Sequence, residues 1–263
     1  MESLYIVKKL SKKNFHVSAK VSEEMLRLST SSPWTLQHLQ KPALVSEALS
    51  ISTLNKCSFP APIDDIFVDP NLLSHMIICL QETWSSSAQD NHDFSQFHFN
   101  LANTFHGVLS CIDKNIEILG TKTFSSDIIE LVLSYILAFR PFSPLSIYAT
   151  SLVFVSSLIQ MIAEAKKHIV HKNYTFIIVG DFNIDICNDG SKCNALLQYM
   201  ESGNMHEISH LHSPVNKLVI DHIWTNFPAS SCEVTFLDAY WTGHDLVYVV
   251  LHFRWFFLFI ETF

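Results

Sequence analysis

Glycine and basic residues are both scarce in this chain of 263 residues. Only 6 residues are glycine, whereas an average composition would supply about 7%. Few glycines are unusual for an enzyme with many tight loops, and their scarcity indicates sequence drift. Lysine and arginine number 17 against 25 acidic residues, for a net charge of -8. Because non-specific nucleic-acid binders are usually basic, this balance argues against a strongly electrostatic DNA-binding surface.

Cysteines at redox or metal-binding spacing are also missing. The six cysteines include no C-x-x-C pair, and this usage suits a reducing compartment better than a disulfide scaffold. We therefore expect an intracellular protein. Cys187 and Cys193 precede His206 and His210, but their spacing matches no usual zinc pattern, so a zinc site is not favoured there.

Little in the sequence favours insertion into a membrane. The N-terminus is polar and basic, unlike a signal peptide. Residues 146–163 are apolar over about 18 positions, the lower limit for a spanning helix, but serines and Gln160 interrupt them. We predict instead a buried amphipathic helix, part of a helix from about Leu145 to His171. No membrane partner is expected, and no repeat of solenoid period is present.

The remaining pattern predicts several strands and one short helix. We expect strands at residues 44–54, 77–80, 106–112 and 128–139, a polar loop at 85–100, and a helix at 192–203 that ends at Gly203. The apolar run from Leu251 to Phe263 is predicted to be a frayed end of the domain.

Four apolar segments carry an acid or a histidine near one end. Residues 176–185 place Asp181 and Asn183 two positions apart, so both side chains lie on one face of a strand. The other segments are residues 76–84 with Glu82, 218–224 with Asp221, and 241–251 with His244. Because acids and amides are also common in turns, one such segment means little. Four together predict a carboxylate, amide and imidazole site suited to hard cations and phosphate chemistry.

The order of these motifs resembles the endonuclease/exonuclease/phosphatase superfamily, with its deoxyribonuclease-I-like fold. The chain carries LQETW at residues 80–84, GDFNID at 180–185 and IDHI at 220–223. These motif sequences are similar to those of LINE-type and Helitron-type mobile elements. The resemblance covers roughly residues 46–253. It implies an α/β protein: a four-layered α/β sandwich of two packed, mostly antiparallel sheets flanked by helices.

The resemblance also implies in-line hydrolysis of a phosphodiester, with a role for each site residue. Glu82 matches the glutamate that binds the divalent metal, which would be Mg²⁺ or, in its place, Mn²⁺. Asp181 matches the aspartate that positions or deprotonates the attacking water, and Asn183 the amide that orients it. His244 matches the histidine at the scissile phosphate, and Asp221 the acid that orients this imidazole. DNA is the implied substrate, and the nucleus is an implied location.

Three positions depart from the family pattern. Ser50 stands where an asparagine normally helps to hold the metal, and Asn55 is displaced from that position. Phe139 stands where a tyrosine normally contacts phosphate. Gly243 replaces the metal-linked aspartate before the histidine, and Asp245 cannot replace it because adjacent strand residues face opposite ways. Losing one such contact typically costs on the order of 100-fold in rate, so we expect an impaired site.

We divide the chain into a polar N-terminal extension at residues 1–45, an endonuclease/exonuclease/phosphatase-like domain at 46–253 and an apolar tail at 254–263. No reverse transcriptase or helicase motif follows, so we expect only part of a mobile element. Three functions are open at this point: a metal-dependent DNA endonuclease, a catalytically inactive relic that keeps the fold, and a phosphatase of inositol lipids or sphingolipids. The similarity of the motifs to those of mobile elements disfavours the phosphatase function.

Overall fold

The computed structural model describes residues 48–55, 70–83, 96–102, 106–138, 141–170, 174–187, 190–209, 219–238 and 244–253. The predicted extension at 1–45 and the tail at 254–263 lie outside these ranges. The strands within them are β1 Ala48–Asn55, β2 Ile77–Gln81, β3 Phe97–Ala102, β4 Val108–Asp113, β5 Glu117–Ser126, β6 Ile129–Leu137, β7 Pro141–Ala149, β8 Thr175–Asp181, β9 His206–Glu207, β10 Asp221–Thr225, β11 Cys232–Asp238 and β12 Asp245–His252. The α-helices are α1 Pro70–Leu73, α2 Val155–Val170 and α3 Ser191–Ser202, and Ala229–Ser231 form a 3₁₀ turn.

The strands form two six-stranded sheets. The first sheet has the order β11-β12-β1-β2-β4-β3 and the second β5-β6-β7-β8-β10-β9. Strands β1 and β2 are parallel, as are β7 and β8. The other neighbouring pairs are antiparallel. The predicted sandwich of two mostly antiparallel sheets is therefore confirmed.

The main core lies between the two sheets. Leu49 and Ile51 of β1 and Ile177 and Val179 of β8 belong to one buried apolar cluster. The opposite face of β8 presents Ile178 to a second cluster, which includes residues of α2 and α3. Because β8 is buried on both faces, its sequence is a continuous apolar run rather than an alternation.

The first residues of the predicted long helix, 145–149, belong to a strand. Residues 141–149 form β7, between β6 and β8, and the helix begins only at Val155. The prediction was wrong because a central strand buried on both faces lacks the period-2 signal that distinguishes strands from helices. Pro144 is accommodated where the β6–β7 ladder passes from the Leu133–Leu145 pair to the Ile136–Phe142 pair. A proline there has no N–H to donate.

The four strands at the sheet edges, β3, β5, β9 and β11, were also not predicted. Strand β3 occupies the end of the predicted loop at 85–100, and β5 and β11 lie at the edges of their sheets. The residues of β5 are mostly exposed, so the strand has no apolar face to reveal it. At the other end of the domain, Leu251 belongs to β12, and Phe253 is buried, so this part of the chain is not frayed.

Among the described helices, none is long and apolar enough to cross a bilayer.

Candidate active site

Strand register brings the polar residues to one edge of the sandwich. Tyr148 at the end of β7 pairs with Asp181 at the end of the parallel β8. Asp221, which begins the antiparallel β10, also pairs with Asp181. In the first sheet, Asn55 at the end of β1 pairs with Gln81 at the end of β2. The carboxyl ends of parallel strands and the starts of their antiparallel neighbours thus meet, which is where open α/β sheets place ligands.

Asp181 is the centre of this edge and is almost completely buried. The amide Nδ2 of Asn55 donates to Asp181 Oδ2 at 2.6 Å, across the interface between the sheets. The backbone N–H of Asn183 donates to Oδ1 at 2.8 Å, and its Nδ2 donates to Oδ2 at 3.0 Å. The same Nδ2 lies 2.7 Å from the carbonyl oxygen of Ala149. Asp181 is therefore held by three donors, one from the end of β1 and two from Asn183 after β8.

The chain around Asp181 requires unusual backbone angles. Gly180 has a φ of +136°, and a Cβ atom added there would lie 2.0 Å from the carbonyl oxygen of Ile147. The absence of a side chain allows β8 to approach β7 this closely. Asn183 has a φ of 49°, a left-handed conformation that asparagine tolerates better than most residues. The sequence Gly-Asp-Phe-Asn therefore suits the sharp exit of the chain from β8.

Burial governs the protonation of Asp181. Burial raises the pKa of Asp181 to about 7, and the charge of Asp221 acts in the same direction. The hydrogen bonds from Asn183 and Asn55 and the charge of His244 oppose this rise. A carboxyl group with a pKa near neutrality is suited to accepting a proton from water, because it is ionised near pH 7 and still basic.

Asp221 and His244 form a mostly buried pair beside Asp181. His244 Nδ1 lies 2.7 Å from Asp221 Oδ2. Burial on its own lowers the pKa of His244, but the hydrogen bond and charge of Asp221, with the charges of Asp181 and Glu82, raise that pKa to about 9. The imidazole is therefore charged at neutral pH and can stabilise negative charge on a bound group.

Glu82 adds a carboxylate to the site from the first sheet. It follows β2 directly and adopts a φ of 51°. The hydroxyl of Tyr148 donates a hydrogen bond to Glu82 Oε1. Its carboxylate is also close enough to raise the pKa of His244. The five residues predicted from the sequence, Glu82, Asp181, Asn183, Asp221 and His244, thus lie in one connected group.

Two members of this group were not predicted, Asn55 and Tyr148. The expectation that Asn55 is out of place is wrong, because β1 runs on to Asn55, whose side chain reaches Asp181. Ser50 instead lies mid-strand and accepts a hydrogen bond from the N–H of Met76. Asn55 is the last residue of a buried strand, and a polar residue at a strand end is the kind of signal that identified Glu82. Tyr148 was hidden in the segment predicted to be helical. Phe139 and Gly243 lie outside the described residues.

The remaining histidine of the IDHI motif is structural. His222 is fully buried, and its Nε2 lies 2.7 Å from the carbonyl oxygen of Ile184. Its ring stacks on Phe182 with a centroid separation of 4.6 Å. Burial lowers its pKa, so it is neutral at pH 7 and contributes packing rather than charge.

The site has the donor set of a cation site. One ligand atom each from Asp181, Asp221 and His244 can be chosen so that all lie within 4.8 Å of one another. Asp221 Oδ1 is buried and has no hydrogen-bond partner within the described residues. A buried carboxylate oxygen without a donor is costly unless a cation or water satisfies it. Together with the carboxylate of Glu82, these oxygens fit a hard divalent ion.

Comparisons with known proteins agree with this geometry. No family model and no curated protein matches the chain. The endonuclease domain of TRAS1, a telomere-specific non-LTR retrotransposon, matches with a TM-score of 0.62 and 10% identity, over 79% of this chain and 99% of that one. An endonuclease/exonuclease/phosphatase family protein from Bacteroides thetaiotaomicron gives 0.58 and 13%, over 78% and 94%. An AP endonuclease from Archaeoglobus fulgidus gives 0.56 and 14%, over 77% and 99%. The chain therefore has the endonuclease/exonuclease/phosphatase, deoxyribonuclease-I-like fold.

Proposed function

We propose that this protein is a divalent-metal-dependent phosphodiester hydrolase that cleaves DNA, with a domain related to the endonucleases of mobile elements. One observation carries the proposal: buried Asp181 lies beside the hydrogen-bonded Asp221–His244 pair. A group that accepts a proton and a group that carries positive charge thus flank the same small space. Hydrolysis of a phosphodiester needs both, because water must lose a proton while charge develops on the phosphoryl oxygens.

The contacts of each side chain support one role in the reaction. Asp181, with its pKa near 7, accepts the proton of the attacking water. Asn55 and Asn183 keep the carboxylate oriented through their hydrogen bonds to it. The charged imidazole of His244 donates a hydrogen bond to a phosphoryl oxygen, and Asp221 keeps that ring charged and oriented.

A divalent cation, Mg²⁺ or Mn²⁺, would be held by carboxylate oxygens of Glu82 and Asp221, beside Asp181. It would neutralise charge on the phosphoryl group. Tyr148 holds the Glu82 carboxylate through its hydroxyl, which keeps that ligand turned towards the site. The protein therefore holds three acidic side chains close together at a buried edge of the sandwich. A bound cation would offset the repulsion between their charges.

Two endonucleases among the structural neighbours, the TRAS1 domain and the AP endonuclease, favour a nucleic-acid substrate, and the motif resemblance implies DNA. The contacts of Asn55 and Tyr148 favour an active site over a relic, because an amide holds the Asp181 carboxylate and a phenol holds that of Glu82. We propose an intracellular enzyme that meets its substrate in the nucleus.

A plasmid-nicking assay tests the proposal. Purified protein with Mg²⁺ is expected to convert supercoiled DNA to the nicked form, and EDTA to abolish the reaction. Asp181→Ala should reduce the rate by on the order of 100-fold or more, because it removes the group assigned to take the proton. Glu201→Ala, which removes an exposed acid of α3, is the matched control and should leave the rate unchanged.

Two outcomes would overturn the proposal. Equal and negligible nicking by the wild type and Asp181→Ala would indicate an inactive relic. Release of phosphate from an inositol lipid or sphingolipid, without cleavage of DNA, would indicate the phosphatase function instead.

A further inference from the structure

Strand β6 contains a buried acid whose purpose the site described above does not explain. Glu130 is the only charged residue of this strand, and its exposed fraction is 0%. Burying a carboxylate among apolar side chains costs free energy unless hydrogen bonds or charges compensate. A residue of this type in a core strand therefore needs a specific partner.

The carboxylate of Glu130 binds the backbone of a turn that precedes β4. The N–H of His106 lies 3.1 Å from Oε1, and the N–H of Gly107 lies 2.8 Å from Oε2. Gly107 has a φ of 80°, a conformation that glycine adopts without the steric penalty of a side chain. Both oxygens of Glu130 thus hold a turn, here called the 106–107 turn, in one conformation.

The 106–107 turn is hydrogen-bonded to the backbone of the residue that follows Glu82. The carbonyl oxygen of Gly107 accepts a hydrogen bond of 3.1 Å from the N–H of Thr83. Glu82 itself has a φ of 51°, which is sparsely populated for a residue with a Cβ atom and persists only where neighbouring contacts enforce it. The bond to Thr83 is one of those contacts, since it fixes the residue that follows the strained position.

The same turn also touches Tyr148. The ring centroids of His106 and Tyr148 are 5.0 Å apart. Glu130 and Tyr148 are directly opposed in the β6–β7 ladder, so their side chains lie next to each other on one face of the sheet. Tyr148 donates its hydroxyl hydrogen bond to Glu82. Two routes therefore connect Glu130 with Glu82, one through Thr83 and one through Tyr148.

We propose that Glu130 is a positioning residue, which fixes the Glu82 carboxylate in its cation-binding orientation by holding the 106–107 turn against Thr83 and Tyr148. The inference rests on the proposed function, in which Glu82 is a ligand of the divalent ion. Loss of the Glu130 contacts lets Glu82 relax from its left-handed conformation, and its oxygens then leave the site. Residues that orient a metal ligand typically change metal affinity about 10- to 100-fold when replaced.

The variant Glu130→Gln keeps the shape of the side chain but replaces one acceptor oxygen with a donor that faces an N–H group. We measure the binding of Tb³⁺, a luminescent hard cation, by emission excited through the protein's aromatic residues. Steady-state cleavage of DNA then gives the Mg²⁺ concentration for half-maximal rate and the KM for DNA. We expect both metal midpoints to rise about tenfold, and the KM for DNA to stay within about twofold, because no DNA-contacting group is altered.

Leu133→Ala is the matched control for a loss of stability. Leu133 lies on the other face of β6, is fully buried and packs in the cluster that includes α2. This variant should lower the melting temperature but leave both metal midpoints unchanged. If Glu130→Gln does not fold, Gly107→Ala disturbs the 106–107 turn without touching the buried acid and should raise the metal midpoints in the same direction.

The outcomes separate this inference from the proposed function. Metal midpoints that Glu130→Gln leaves within about twofold, or that Leu133→Ala raises equally, overturn the positioning role alone. Tb³⁺ binding that weakens in Glu130→Gln, in a protein that does not cleave DNA, overturns the proposed function alone. A wild-type protein that neither binds Tb³⁺ nor cleaves DNA overturns both.

Discussion

At the scale of single residues, the site depends on one acid that influences two neighbours. The charge of Asp221 raises the pKa of Asp181 and also that of His244. The two effects serve one reaction, because Asp181 must lose its proton to act as a base while His244 must keep its own. Without a metal ion, the site should therefore be active between these two pKa values, about 7 and about 9. A bound cation would lower both limits.

Replacing Asp221 should move this window to lower pH. In Asp221→Asn, Asp181 loses a repelling negative charge and His244 loses its partner, so both pKa values fall. The alkaline limb of the kcat/KM profile should shift down by about one to two pH units, and the acidic limb should shift in the same direction. The measurement is kcat/KM for DNA cleavage from pH 5.5 to 10 in both proteins, at a fixed Mg²⁺ concentration. A lower maximum at unchanged limbs would contradict the assigned role of Asp221.

At this scale the sequence identified the acidic residues of the site but not the residues that hold them in place. Glu82, Asp181, Asn183, Asp221 and His244 each follow or begin an apolar strand, so a local pattern was sufficient to propose them. Asn55 shows the same pattern, but the family resemblance implies the metal-binding amide at position 50, where this chain has Ser50. Glu130 has no local signal of function, since its partners are backbone groups of a turn that is distant along the chain.

At the scale of elements, the close contact of β7 with β8 positions Asp181. The two strands are parallel, and Ile147 pairs with Gly180, one step before the Tyr148–Asp181 pair. Because a side chain at 180 would meet the backbone of Ile147 rather than a flexible side chain, the strands would have to separate to admit it. Any such separation moves Asp181 relative to Tyr148 of β7 and weakens the contact of Asn183 with the carbonyl oxygen of Ala149.

Gly180→Ala should therefore reduce both stability and activity. We expect the free energy of unfolding to fall by about 2–3 kcal/mol, from overpacking against a backbone carbonyl and from strain at positive φ. The DNA cleavage rate should fall with it, as Asp181 is displaced. Chemical denaturation followed by tryptophan fluorescence measures the first effect.

Gly120→Ala is the matched control, because a Cβ atom at that position in β5 would meet Tyr135 at 3.6 Å, an ordinary contact. That substitution is expected to change the free energy of unfolding by less than about 1 kcal/mol. Equal effects of the two substitutions would show that the β7–β8 approach is not as close as described.

Element prediction failed where burial or exposure removed the usual periodicity. Strand β7 is buried along almost its whole length, so its apolar run matched a helix as well as a strand. Strand β5 is exposed along most of its length, so it carries no apolar alternation. Strands with a distinct apolar run and a turn signal after it, such as β2 and β8, were predicted correctly.

At the scale of the whole molecule, the two sheets are joined by apolar residues distant along the chain. Phe142 of β7, Phe227 after β10 and Phe253 after β12 are all buried. The ring of Phe253 lies 6.4 Å from that of Phe142 and 5.4 Å from that of Phe227, with both pairs edge-on. Phe253 thus connects the end of the first sheet with the second sheet. Since the site is assembled from both sheets, this packing supports the site as well as the fold.

Phe253→Ala should strongly destabilise the protein. Removing a fully buried phenylalanine typically costs about 3–5 kcal/mol, from lost burial and from the cavity that remains. Thermal and chemical denaturation provide the measurement. The matched control is Phe154→Ala, since Phe154 is 69% exposed, and its loss should change the free energy of unfolding by about 0.5 kcal/mol or less. A small effect at Phe253 would show that the domain ends before this residue.

The sequence by itself determined which residue types stand at the ends of the apolar strands and therefore the kind of chemistry that the domain supports. That information is local, because an apolar run followed by Glu82 or Asp181 is visible within ten residues. The tertiary structure decided which of these ends meet. Asn55 contacts Asp181 across 126 positions, and Tyr148 contacts Glu82 across 66. Such contacts depend on sheet order, register and the packing of one sheet on the other, and none of these follows from the periodicity of a single segment.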